Sequence, residues 1–151
     1  ALAPAIRDSA SLTSIDLSSN NMGSSFYVKP EALSGGPLEE GAKVHYQGQE
    51  VTILKEEDED DDIEITNIGI LALANALRVS TSLTECNVRG NKLDNESATA
   101  LTKISAPKGI MLFGIKHGQK EASFHHQRLG PVDAILIAND LLVSTSLTSV
   151  R

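Results

Sequence analysis

Apolar and polar positions follow one pattern in three separate stretches of this chain. LAPAIRDSASLT starts at Leu2, LANALRVSTSLT at Leu73 and IANDLLVSTSLT at Ile137. The second and third agree at nine of twelve positions, the first and second at eight. Around the second, Ile70, Leu73, Ala74 and Leu77 fall at helical spacing and predict a helix with one apolar face. Ser and Thr after Val79 end that helix, and a strand pattern follows. Leu12, Ile15 and Leu17 precede Asn20 and Met22, and Leu83, Cys86 and Val88 precede Asn91 and Leu93. Both read LxxLxLxxNxL. The alternating LxL sends one strand face inward and the other to solvent. An Asn at the bend suits a side chain that bonds to loop backbone.

A recurring helix–turn–strand unit is the signature of a stacked solenoid. The strand pattern, the Asn and the helix pattern together resemble the ribonuclease-inhibitor-like class of leucine-rich repeats, over roughly 1–22, 67–105 and 130–151. Similar interrupted repeats, rich in LALADAL-like and TSLT-like phrases, are familiar from unicellular algae and other protists. The resemblance implies an α/β leucine-rich repeat solenoid of about four units, with strands on the concave side and helices on the convex side. It also implies protein binding rather than a reaction.

The period is broken in an informative way. Leu12 and Leu83 stand 71 residues apart, well beyond a unit of roughly 28 residues. An insertion is therefore expected over 23–66, leaving repeat units at 1–22 and 67–151. Leu83 and Leu147 are 64 residues apart, which leaves room for one more unit. Its strand has two registers: Ile110, Phe113 and Ile115, or Ala122 and Phe124 followed by Gln127 and Leu129. A β-hairpin near 110–125, turning at His117-Gly118, would satisfy both. The insertion itself reads as a small β-meander. Val44 and Tyr46, a turn at Gln47-Gly48-Gln49, then Val51, Ile53 and Leu54 make two strands, and Ile63 and Ile65 a third. The V-x-Y-x-G start is similar to small Tudor-like or Src-homology-type barrels. The stretch from Gly23 to Pro37 reads as a loop leading in.

Composition narrows the function classes. The formal net charge is −7 and aromatics are 3%, a poor match to a nucleic-acid surface that needs cations and stacking rings. No apolar run approaches the roughly 18 residues that would suggest a membrane-crossing helix. The one cysteine, Cys86, stands at a core-facing strand position and reads as a small buried hydrophobe. The chain opens without Met, and its last phrase stops at Val150-Arg151. Neither end carries a polar capping unit, so the expectation is a piece of a longer chain or part of a larger assembly. An intracellular setting is expected, with an organelle as the alternative.

Candidate chemistry is sparse. The run Glu56-Glu57-Asp58-Glu59-Asp60-Asp61-Asp62 places Asp58, Asp60, Asp62 and Glu64 in alternation like the start of a calcium loop. Ile63 occupies the position where such a loop needs Gly, and the run otherwise reads as a solvated acidic loop. His125 and His126 are adjacent, so on a strand they would point to opposite faces, and His117 has no thiolate or carboxylate cluster beside it. No G-x-S-x-G elbow or phosphate loop occurs, and the expectation is neither an enzyme nor a cofactor or metal carrier.

What remains is the outward side of the strands. The candidate protein-binding residues are Ser14, Asp16 and Ser18, then Glu85, Asn87 and Arg89, then Lys116 beside Gly114, then Ser149 and Arg151. This small polar mix of both signs suits a modest contact with a protein partner. The expected function is a protein–protein interaction or scaffold domain. A structural accessory subunit of a large complex, organellar or photosynthetic, is the alternative, and a weak calcium-responsive module the third.

Overall fold

The computed structural model describes residues 2–20, 22, 23, 25–55, 61–66 and 68–151. The chain divides into two compact units, one of Gly23–Leu71 and one of Ala1–Met22 with Ala72–Arg151.

The larger unit starts with helix α1 (Leu2–Asp8) and strand β1 (Ser14–Asp16). The chain then leaves for the smaller unit. There β2 (Ser25–Val28), β3 (Leu33–Ser34), β4 (Lys43–Tyr46), β5 (Gln49–Lys55) and β6 (Ile63–Thr66) form one antiparallel sheet in the order β2-β6-β5-β4-β3. Alternation along β5 buries Val51 and Ile53, which pack with Val28, Val44, Ile63 and Ile65 in a compact core. Phe26 and Tyr46 close its side with ring centroids 5.4 Å apart, edge to face. Gln47 and Gly48 both take positive φ, 49° and 77°, the backbone that a two-residue hairpin turn requires. The three strands expected from Val44, Val51 and Ile63 are thus joined by two more, Ser25–Val28 and Leu33–Ser34, in the stretch that reads as a loop.

Helix α2 (Ile68–Val79) leads back into the larger unit, followed by β7 (Glu85–Asn87), α3 (Asn95–Ser105), β8 (Glu121–Ala122), α4 (Pro131–Val143) and β9 (Ser149–Val150). Ile70, Leu73, Ala74 and Leu77 are all buried, as the helical spacing predicts. Asp94 caps α3, its carboxylate accepting the Ser97 N–H at 2.7 Å. Asp133 accepts the Gly130 N–H at 2.8 Å where α4 begins.

β1 and β7 pair in parallel, Ile15 opposite Cys86. Asn91 ties off the bend after β7. Its amide donates to the carbonyls of Leu17 and Val88, and its Oδ1 accepts the N–H groups of Asn20 and Met22. These are the loop-backbone bonds that an Asn at this position suits.

The expectation of a four-unit solenoid is overturned. Among the described residues the architecture is mixed α/β: a five-stranded antiparallel sheet, two separate two-stranded parallel sheets and four α-helices. β1 pairs with β7 and β8 with β9, so the phrase-bearing strands do not join in one sheet. The physical cause lies between Met111 and Ile115. Met111 makes a parallel bridge to Glu85, and the Met111 and Leu112 carbonyls accept the N–H groups of Cys86 and Val88, both at 2.8 Å. Gly114 then bends the backbone through a φ of 102°. The N–H groups of Leu112, Phe113 and Ile115 all turn to the buried carboxylate of Asp140. The 110–125 hairpin gives way for the same reason: Met111 bridges to β7, whereas β8 pairs with β9.

Candidate binding recess

Strand pleating sends Ser14 and Asp16 from β1, and Glu85 and Asn87 from β7, to the same face. The bent segment after Met111 brings Lys116 beside them. These five expected residues line a recess of about 230 Å³ in the larger unit. Ile15, Met111, Gly114 and Ile115 complete its walls.

The polar groups of the recess hold one another in place. Ser14 Oγ donates to Glu85 Oε2 at 3.1 Å, and the His117 N–H donates to Glu85 Oε1 at 3.3 Å. Asn87 Nδ2 donates to Asp16 Oδ1 at 3.1 Å, and the Ser18 N–H donates to the same oxygen at 2.9 Å. The Ser18 hydroxyl first, then the Ser18 N–H, with the Asn87 amide and the Lys116 charge adding, hold the Asp16 carboxyl below the ordinary carboxylate range. The recess therefore presents a fixed carboxylate at neutral pH, with Lys116 beside it.

A second, smaller recess of about 140 Å³ lies alongside and shares Gly114 and Ile115 with the first. Arg89 lines it, with its guanidinium 5.0 Å from the centre of the Phe113 ring. Phe113 meets Phe124 edge to face at 5.5 Å. Gln119, Ser123 and Gln127 supply neutral polar groups.

The remaining expected residues lie elsewhere. Ser18 lines neither recess and acts through its bonds to Asp16. Ser149 is opposite Glu121 in the β8–β9 pair, and the Arg151 backbone bonds to Ala122 and Phe124. Cys86 is fully buried, and burial, helped by the charge of Asp16, pushes its thiol up to about 12, which leaves it unreactive. His125 and His126 are not on a strand. His126 takes a φ of 60° in a turn, and the two rings come within 4.0 Å of each other rather than facing apart. Among the described residues, no group of three or more His, Cys, Asp or Glu is arranged to hold a metal ion. Most of the acidic run, 56–60, lies outside the described residues. Asp62 at its end pairs with Lys29 at 3.0 Å.

Sequence reasoning missed Asp140, the residue that shapes the wall between the recesses. It is completely buried. Burial pushes its carboxyl up, opposed by bonds from the N–H groups of Leu112 and Phe113, the Asn139 side chain and the Ile115 N–H. The signal was present: LANAL at Leu73 becomes IANDL at Ile137, so a charge replaces Ala76 on a core-facing turn, four residues after Leu136. Asn139 is buried beside it and donates to the Ile110 carbonyl at 3.0 Å.

No family model, curated protein or solved structure matches this chain. Among the described residues, no helix is long and apolar enough to cross a membrane.

Proposed function

We propose that the larger unit binds a protein partner, receiving an extended segment in the polar recess over β1 and β7. The observation that carries this reading is the convergence of Ser14, Asp16, Glu85, Asn87 and Lys116 on one concavity. Carboxylates and an ammonium side by side suit backbone amides and charged side chains of a bound segment. Binding is favoured over turnover because Asp16 and Glu85 are both engaged by neighbouring donors. Asp16 in addition stays ionised well below neutral pH, so it is poorly matched to proton transfer.

Selection from a displayed library of random heptapeptides tests the reading. Selected peptides should lose about tenfold or more in affinity, roughly 1.4 kcal/mol, on Asp16→Asn or Lys116→Gln. Failure to select any peptide, or peptides indifferent to both substitutions, would overturn it.

A second reading rests on a different observation. Leu142 is 77% exposed and Leu141 43% on α4, and Val150 is 48% exposed on β9. Large apolar side chains left in water suit a structural accessory role against a neighbouring subunit.

A further inference from the structure

The smaller recess carries an inference of its own. In a chain of net charge −7, its charged wall is a cation, and none of its lining residues is acidic. Among the described residues, no carboxylate forms an ion pair with Arg89. The guanidinium instead rests on the Phe113 ring, an arrangement that fixes the plane of the group and leaves its N–H donors for another acceptor. Phe113 lies under the cation, and Ile115, Ala122 and Phe124 supply the other apolar lining. One further group is unsatisfied: Gln127 Oε1 is shielded from water and has no hydrogen-bond partner, while its Nε2 donates to the Ser123 carbonyl at 3.0 Å. A buried acceptor without a donor is costly.

These features specify a ligand. A single guanidinium suits a monoanionic carboxylate, which it can grip through two parallel bonds. The apolar walls suit a hydrocarbon group attached to that carboxylate, and about 140 Å³ admits a group the size of one residue. Turning about its broad terminal torsion would bring the shielded Gln127 oxygen to an N–H donor in the recess, in exchange for the Nε2 bond to Ser123. Carboxylate, apolar side chain and amide N–H occur together at the C-terminal residue of a peptide. The recesses lie on either side of Gly114 and Ile115, so a chain held by its last residue in the smaller one need cross only that wall to reach the larger. There Asp16 and Glu85 disfavour a second carboxylate but accept backbone N–H groups.

We propose that the Arg89 recess captures the free C-terminal carboxylate and apolar last side chain of a bound peptide, a specificity that rests on the peptide-binding reading of the larger recess. The test uses fluorescein-labelled pentapeptide pools, mixed at the first four positions and ending in Leu or Phe, as free acids and as C-terminal amides. Fluorescence anisotropy on the full chain should show the acids binding at least about tenfold tighter than the amides. Arg89→Gln should erase that difference, and Arg89→Lys should keep part of it. The acid–amide comparison on the unsubstituted chain holds even if a variant folds poorly. Acids and amides that bind equally, and are both weakened by Asp16→Asn, would overturn the C-terminal inference and leave the larger recess standing. An acid preference that survives intact in folded Arg89→Gln would also overturn the inference. No binding of either pool would overturn both.

Discussion

Asp140 Oδ2 accepts the Phe113 N–H at 2.9 Å, so a fully buried aspartate on α4 holds the backbone that separates the two recesses. The same carboxylate also takes the Leu112 and Ile115 N–H groups. Without it, three backbone donors lose their acceptor in a buried setting. Asp140→Ala should therefore cost about 3–5 kcal/mol, the range for removing one member of a buried charged network. Urea unfolding measures it, and a loss under about 0.5 kcal/mol would show that the segment holds itself.

Asp140 also has a pH signature. Burial raises its carboxyl above the ordinary value despite the opposing N–H bonds, so the folded state takes up a proton at higher pH than the unfolded chain. The stabilisation is complete below the unfolded value of about 3.9 and is lost as pH rises through the folded value. Relative to D140N, the parent chain should gain stability as pH falls from neutral toward that range. A difference that stays flat, or that shrinks on acidification, contradicts the assignment.

Asn91 makes four bonds that join the bends after β1 and β7. Asn91→Ala should cost about 2 kcal/mol, since each net bond is worth about 0.5–1.5 kcal/mol and the side chain is half-buried. Asn91→Asp should also be destabilising, because a carboxylate cannot donate to the Leu17 and Val88 carbonyls. Thermal melts that place both variants at the parent value would contradict the role.

Leu83 is 4% exposed, and Leu83→Ala should cost about 2–5 kcal/mol. A cost below half a kcal/mol would show that the SLT phrase is not anchored as described. Gly114→Ala should be destabilising for another reason. Its φ is 102°, and an added Cβ would sit 3.1 Å from Asn87 Nδ2. The variant should also weaken peptide binding, since Gly114 walls both recesses.

Local elements were legible where periodicity is local. Ile15 and Cys86 mark the strands that pair, the Ile70–Leu77 spacing marks α2, and Val51 and Ile53 mark the core side of β5. The assembly of those elements was not legible. Three matching phrases suggested one continuous stack, but an Asp in place of Ala, at 140, takes the N–H groups of Leu112, Phe113 and Ile115, and β8 pairs with β9 in a separate sheet. Phe26 and Val28 were hidden in a stretch whose nearby glycines and prolines read as loop, because their strand is made by pairing with Ile63 and Ile65, far along the chain. Outward pleating placed Ser14, Asp16, Glu85 and Asn87 on the face of the larger recess, whereas Lys116 reaches it from a bend, not from the strand expected there. The smaller one was missed because Phe113, Phe124 and Gln127 meet Arg89 through tertiary packing that no spacing encodes.

On the proposed function, a peptide lies in the recess over β1 and β7. Backbone-amide NMR of the labelled chain, titrated with a selected heptapeptide, tests it most directly. Saturable shifts should concentrate at Ser14, Asp16, Glu85, Asn87 and Lys116, and continue to Arg89 and Phe124. Shifts confined instead to Leu141, Leu142 and Val150, or an absence of shifts at saturating peptide, would contradict it.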